Sequence, residues 1–293
     1  MNKGIIYLFL AGLGYAIMGV LIRTLNTQIP PFSQMFLRYI GSSAISLIFV
    51  FLNKNSLKPK NLSDFFLLLF IGIFGYSLST IFFTFSVLNT NLSTVLFIFS
   101  TYVVITPLLT YIFLKETMNK NIWPAIVLSL LGTYLLFKPD FSTINFGTIL
   151  ALLASISASI YYTGSRKLKN YPSPVITAYS TICGVVTASL LSLLFERNFY
   201  FTAGPQISKT IVSISPFIWF IVLIFAIDNF ASWLFVNKGF QKVQGGTGSI
   251  ILLTEPVLGT ILGIVLYGET LTLSAIIGIS FILGGILLAM LKN

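Results

Sequence analysis

The chain has no histidine and one cysteine, Cys183, in 293 residues. An internal disulfide would need a second thiol. A zinc site of the His/Cys kind and a Ser-His-Asp triad each lack a defining member. Cys183 stands in an apolar run and reads as a small buried residue. Charge is scarce as well. Only 8% of the residues are charged, where a soluble globular domain carries about 25%. Gly245, Gly246 and Gly248 are not followed by Gly-Lys-Ser/Thr, so they make no phosphate loop. No nucleotide, metal or other cofactor is expected.

What the chain does have is apolar bulk: 56% hydrophobic residues, among them 28 Phe. A soluble core could not absorb this excess, so lipid must cover much of it. Ten apolar runs occupy 4–24, 32–52, 64–86, 92–114, 121–138, 146–165, 174–195, 215–237, 246–267 and 272–291. Each approaches the ~20 residues that cross ~30 Å of hydrocarbon. Stretches such as FFLLLFIGIFG do not alternate, which argues against barrel strands. Asn89-Thr90-Asn91 supplies a turn between the third and fourth runs. The first run is too long for a signal peptide's apolar core and reads as a retained membrane helix. The expected fold is an all-α transmembrane bundle of ten helices.

The formal net charge of +10 could suggest a nucleic-acid partner. The basic residues instead occupy short gaps between the runs, where they signal topology and meet lipid headgroups. With the N-terminus in the cytoplasm, the inner segments hold twelve of them: Lys3, Lys54, Lys58, Lys60, Lys115, Lys120, Arg166, Lys167, Lys169, Lys238, Lys242 and Lys292. The outer segments hold four, namely Arg23, Lys138, Arg197 and Lys209. This bias places both termini in the cytoplasm.

The chain also repeats itself. Asn91-Leu92-Ser93-Thr94 opens the fourth run and Gln244-Gly245-Gly246-Thr247 opens the ninth, 153 residues later. Glu116-Thr117 and Glu269-Thr270 follow those runs at the same offset, as do Gly132 and Gly285 within runs five and ten. FLAGLGYAIMGVLIR resembles LLASISASIYYTGSR, matching Arg23 with Arg166. An odd number of spans per copy inverts the second copy, giving repeats at 1–141 and 142–293 related by a two-fold axis in the membrane plane. Inverted repeats are an architecture of alternating-access carriers.

Run four ends Pro107-Leu108-Leu109-Thr110-Tyr111-Ile112-Phe113-Leu114-Lys115-Glu116. Run nine carries Glu255-Pro256-Val257-Leu258-Gly259, then Gly263 and Tyr267-Gly268-Glu269. In these signatures, and in its five-plus-five order, the sequence resembles the EamA family of the drug/metabolite transporter superfamily over its whole length. The resemblance implies ten helices around a central cavity in a bacterial inner membrane. It also implies movement, often export, of small metabolites such as amino acids. Such families often place Trp-Gly in the first span. Here Gly14-Tyr15-Ala16 stands there, so Tyr15 is the candidate replacement.

Ionisable groups at membrane depth are costly and therefore candidate site residues. Arg38 lies about six residues into the second run, roughly 9 Å below the outer interface by helical rise. It can take a carboxylate bidentately or reach for headgroups. Asp228 can attract a substrate amine, carry a proton, or pair with Arg38. Glu255 precedes Pro256, which frees a carbonyl one turn earlier and offers a hinge. Its alternatives are a substrate or coupling role and hydrogen bonding between helices. Tyr15, Tyr76, Tyr102, Tyr161, Tyr179, Trp219 and Trp233 are candidate cavity walls, with an interface anchor as the alternative for Trp219. Glu116 and Glu269 suit capping or gating at opposite faces. Gly259 and Gly263 form a GxxxG pair that permits close helix packing.

The expected activity is that of a secondary carrier, not an enzyme. It moves a small metabolite, most simply an amino acid, and exports it by alternating access. Energy comes from the substrate gradient, a proton gradient or exchange. The rivals are a multidrug exporter of cationic amphiphiles and a polytopic enzyme acting on lipid. The latter needs clustered catalytic groups near one interface, which the sequence does not offer. Its partners are the substrate and membrane lipids, with no nucleic acid; proton coupling and oligomeric state stay open.

Overall fold

The computed structural model describes residues 3–26, 28–142, 144–196 and 215–291. Arg197, Lys209 and Lys292 of the charge count lie outside them. Ten helices follow in order: α1 Lys3–Leu25, α2 Pro31–Leu52, α3 Leu62–Asn89, α4 Leu92–Leu114, α5 Ile122–Phe137, α6 Phe146–Lys167, α7 Ser173–Phe195, α8 Pro216–Phe240, α9 Gly245–Tyr267 and α10 Leu273–Met290. Among the described residues, nine are long and apolar enough to cross a membrane. The tenth, α5, has 16 residues, which at 1.5 Å per residue reach about 24 Å.

The bundle is apolar outside. Phe51, Leu52, Phe113, Leu194 and Val265 all project outward, as a lipid-facing surface requires. The interior is rich in small and hydroxylic side chains, including Ser33, Ser42, Ser46, Thr106, Ser159 and Thr177. Lipid tails are as apolar as Leu, so close backbone approach and hydrogen bonds hold the helices together. The contact of α5 with α10 shows this. A Cβ at Gly132 would lie 2.6 Å from the Gly278 carbonyl oxygen, and one at Gly278 equally close to the Gly132 oxygen.

Contacts between chain ends order the helices up and down. At the end that carries the N-terminus, here the near end, Gly4 meets Lys242 and Val243, and Asn119 donates to the Leu291 carbonyl at 2.7 Å. At the far end, Glu196 after α7 accepts from the Phe32 and Ser33 backbone N–H groups at 2.8 and 2.6 Å. Those are unpaired donors of the first turn of α2.

Three helices are irregular in mid-span. In α3, Ile71–Ser77 widens to a π-helical turn, with the Ser77 hydroxyl returning to the Gly72 carbonyl at 2.9 Å. In α4 the helix breaks at Ser100 and Thr101, whose hydroxyls bond the Leu96 and Ile98 carbonyls at 2.7 and 2.6 Å. In α9 it breaks at Leu253, and Thr254 bonds the Ile251 carbonyl at 2.9 Å. Hydroxyls that bond back to the helix in this way bend it. Thr101 to Ile98 and Thr254 to Ile251 are the same contact at the repeat offset.

One expectation is corrected. Gly259 meets no atom within 4 Å and Gly263 faces the Glu269 side chain, so this GxxxG does not seat a helix. The π turn does that instead. Gly75 lies against the Tyr161 backbone and Gly72 against Cys183. Cys183 is buried, as its run implied.

Candidate functional site

The middle of the bundle is an aromatic cluster crossed by a polar seam. Trp233 of α8 meets Tyr15, Tyr76 and Tyr161 at ring-centroid distances of 5.5, 4.7 and 4.7 Å, edge to face in each case. Tyr102 meets Tyr162 at 5.7 Å. Four of the expected cavity walls, Tyr15, Tyr76, Tyr161 and Trp233, therefore converge directly. Tyr102 joins through Tyr162, which the sequence reading passed over. Tyr179 does not join: its hydroxyl bonds the Leu57 carbonyl at 2.9 Å, toward the near end. Trp219 is partly exposed near the far end of α8, consistent with an anchor.

Two asparagines of α8, eight residues apart and so on one face, hold this centre. Asn229 donates to Tyr76 Oη at 3.1 Å and to Ser42 Oγ at 2.9 Å. Asn237 donates to Thr177 Oγ1 at 3.0 Å and accepts from Ser165 at 2.7 Å. Tyr76 and Asn229 stand 153 residues apart, the repeat offset, so equivalent positions of the two halves touch. Neither asparagine stood out in the sequence, because neither is charged.

Arg38 is 4% exposed and does not snorkel. Its Nη2 donates to Tyr39 Oη at 3.2 Å, Nη1 lies 3.4 Å from Met18 Sδ, and the guanidinium stands over the Tyr39 and Phe225 rings. Nε has no partner. The alternative in which Arg38 pairs with Asp228 is not realised. Among the described residues the two ion pairs are elsewhere. Asp228 is half-buried against Gly14 of α1, where a Cβ would sit 3.2 Å from Oδ1. The Asp228 Oδ2 and Asn229 Oδ1 atoms are buried without hydrogen-bond partners among the described residues, while Ser232 lies beside Asp228 and the Tyr15 hydroxyl beside that of Tyr162. Such unpartnered atoms are uncommon in folded proteins.

Glu255 stands in the first turn after the α9 break. Its carboxylate makes no hydrogen bond or ion pair among the described residues and lies within electrostatic reach of the Tyr15, Tyr102 and Tyr162 hydroxyls. Beside it the helices part. A Cβ at Gly19 or Gly259 would meet no atom within 4 Å. The resemblance implied a central cavity. In this structure aromatic rings pack the centre, and Gly19 and Gly259 face open space toward the far end.

The two ion pairs lie at opposite ends. At the near end Arg166 Nε meets Glu116 Oε1 at 2.6 Å, with side chains 17% and 14% exposed. Arg166 Nη1 also donates to the Phe240 and Gln241 carbonyls, and Glu116 Oε2 accepts from the Gly245 N–H at 2.9 Å. At the far end Arg23 Nη1 meets Glu269 Oε1 at 2.8 Å, with side chains 59% and 53% exposed. The glutamates that suited capping or gating thus each tie the end of a broken helix, α4 or α9, to α6 or α1.

Comparison with known proteins agrees with this arrangement. The profile of the EamA-like transporter family matches residues 2–138 and again residues 145–291. An uncharacterized transporter of Clostridium kluyveri is 25% identical over 299 residues, covering 97% of this chain and 92% of its own. One from Archaeoglobus fulgidus is 24% identical over 264 residues, covering 90% of each. A crystal structure with 16% identity superimposes with a TM-score of 0.81 over 99% of both chains, which establishes the fold. The chain belongs to the EamA-like transporter family: it is a multi-pass membrane protein and a secondary transporter of small molecules.

Proposed function

We propose that this transporter exports an amino acid or a closely related metabolite across the inner membrane by alternating access, with no enzymatic step. Two inverted five-helix repeats, 1–141 and 142–293, rock about the central aromatic cluster, and both termini face the cytoplasm. The observation that carries this reading is the pair of equivalent ion pairs at opposite ends, one shielded and one exposed. A carrier that alternates must hold one end shut while the other is open, and repeat symmetry lets one gate design serve both. Under this orientation the near end is cytoplasmic and shut. Equivalent positions of α1 and α6 differ in the same sense: Thr163 and Ser165 are buried, while Val20 is half-exposed and Ile22 exposed. The unpartnered groups around Arg38 and Asp228 suit a substrate bearing both signs of charge.

Cys183 is the sole cysteine, so a Cys183→Ser background gives clean single-cysteine probes at Val20 and Thr163. Substrate should change their reactivity toward a thiol reagent in opposite senses. Reactivities that rise or fall together would contradict alternation.

A further inference from the structure

The three ionisable groups of the centre are placed by their contacts with α1. Arg38 touches Met18, Asp228 abuts Gly14, and the Glu255 backbone N lies 3.2 Å from where a Gly12 Cβ would stand. Met18 and Gly14 lie one turn apart on one face of α1, whereas Gly12 faces about 200° away from Gly14. Arg38 and Asp228, within electrostatic reach of each other, therefore form one group, and Glu255 stands apart among tyrosines, beside the open space at Gly259. An α-amino acid with a neutral side chain would fill only the first group. Its carboxylate meets the guanidinium, whose Nε is free. Its ammonium meets the Asp228 carboxylate, whose Oδ2 has no hydrogen-bond partner and beside which Ser232 lies. Glu255 would remain uncompensated in an apolar setting, which is costly.

Resting on the reading of this centre as the transport site for amino acids, we propose that the favoured substrate is an α-amino acid with a second, distal cationic group. Its head binds Arg38 and Asp228, and its tail ammonium binds Glu255 among Tyr15, Tyr102 and Tyr162. The formal charges agree: one guanidinium and two carboxylates leave a net negative site, which a monocation neutralises. An extended four-carbon stem carries its ammonium roughly 6 Å from the α-carbon, clear of the Arg38–Asp228 group. Tyrosine rings around an ammonium add cation–π attraction.

The test uses the full-length protein in sealed proteoliposomes with labelled L-lysine. The competitors are norleucine, which has the stem but no tail ammonium, and 1,5-diaminopentane, which has both amines but no carboxylate. Lysine should compete at least ~10-fold better than either, the scale of one hydrogen bond to a charged group. Glu255→Gln should bring lysine down to the norleucine level. Norleucine equal to lysine on the wild-type protein overturns the inference and leaves the amino-acid reading standing, as does a lysine preference that survives Glu255→Gln. Diamine competing as well as lysine overturns it in favour of a carrier of organic cations. Flux of no amino acid overturns both readings. Should Glu255→Gln fail to carry norleucine, the wild-type ratios decide.

Discussion

Replacing Arg166 by Gln removes the guanidinium that joins α6 to α4 and to the end of α8. The Arg166–Glu116 pair is mostly shielded from solvent and carries two further bonds to carbonyls. Breaking a buried pair costs about 3–5 kcal/mol, and at this exposure the lower figure applies. The Arg23–Glu269 pair is more than half exposed, so its loss costs about 0.5 kcal/mol. The near-end contact holds that end shut, so its loss falls on the near-shut state; the far-end pair is formed in the same structure at 2.8 Å, so its loss moves that balance by about 0.5 kcal/mol at most. The difference of about 2.5 kcal/mol is about 70-fold in the population open at the near end. The probe is Thr163→Cys in the Cys183→Ser background. Thr163 is 8% exposed and its hydroxyl has no partner. When reclosing outpaces labelling, the rate follows the open population. Labelling by an impermeant maleimide in inside-out vesicles should rise at least tens-fold with Arg166→Gln and change by no more than about two-fold with Arg23→Gln. Equal effects of the two would refute the claim that the near-end pair is the stronger latch.

Other outcomes follow from the same packing. Gly132→Leu drives a side chain into the Gly278 carbonyl across the α5–α10 contact and should lower thermal stability in detergent, on the scale of about 1–3 kcal/mol for overpacking. Asn237→Leu leaves Ser165 without its hydrogen-bond partner and takes one partner each from Thr177 and Tyr161, which keep Ser173 and Ser180. A loss of about 1–3 kcal/mol is expected for the group left unsatisfied, and chemical unfolding should register it. A reporter fused after Asn293 should be active in the cytoplasm, and periplasmic activity would reverse the assigned orientation.

Much of the fold was legible because lipid imposes one simple demand, about 20 apolar residues per span. The first run, 4–24, became Lys3–Leu25, and the Asn89-Thr90-Asn91 turn separates α3 from α4. The bends were less legible. Pro256 pointed to a break in α9, and the helix does part at the neighbouring Leu253. The equivalent break in α4 falls at Ser100 and Thr101, six residues before Pro107, because hydroxyl back-bonding makes it. The repeat offset from Thr254 to Thr101 was the available signal. Arg38, Asp228 and Glu255 stood out since charge in an apolar run has few reasons to be there. Asn229, Asn237 and Tyr162 did not, because neutral polar side chains are common in membrane helices. Only the 153-residue spacing of Tyr76 and Asn229 hinted that the two meet.

Arg38→Gln addresses the central claim most directly. The substitution removes a buried cation that has no carboxylate within ion-pair distance, so stability should hold or rise. Flux of labelled amino acid in sealed proteoliposomes, measured beside a melting curve of the same preparation, separates folding from transport. The expected result is a protein at least as stable as the wild type whose amino-acid flux falls ten-fold or more. Undiminished flux in that folded variant would contradict the assignment of the Arg38–Asp228 centre as the place where the substrate binds.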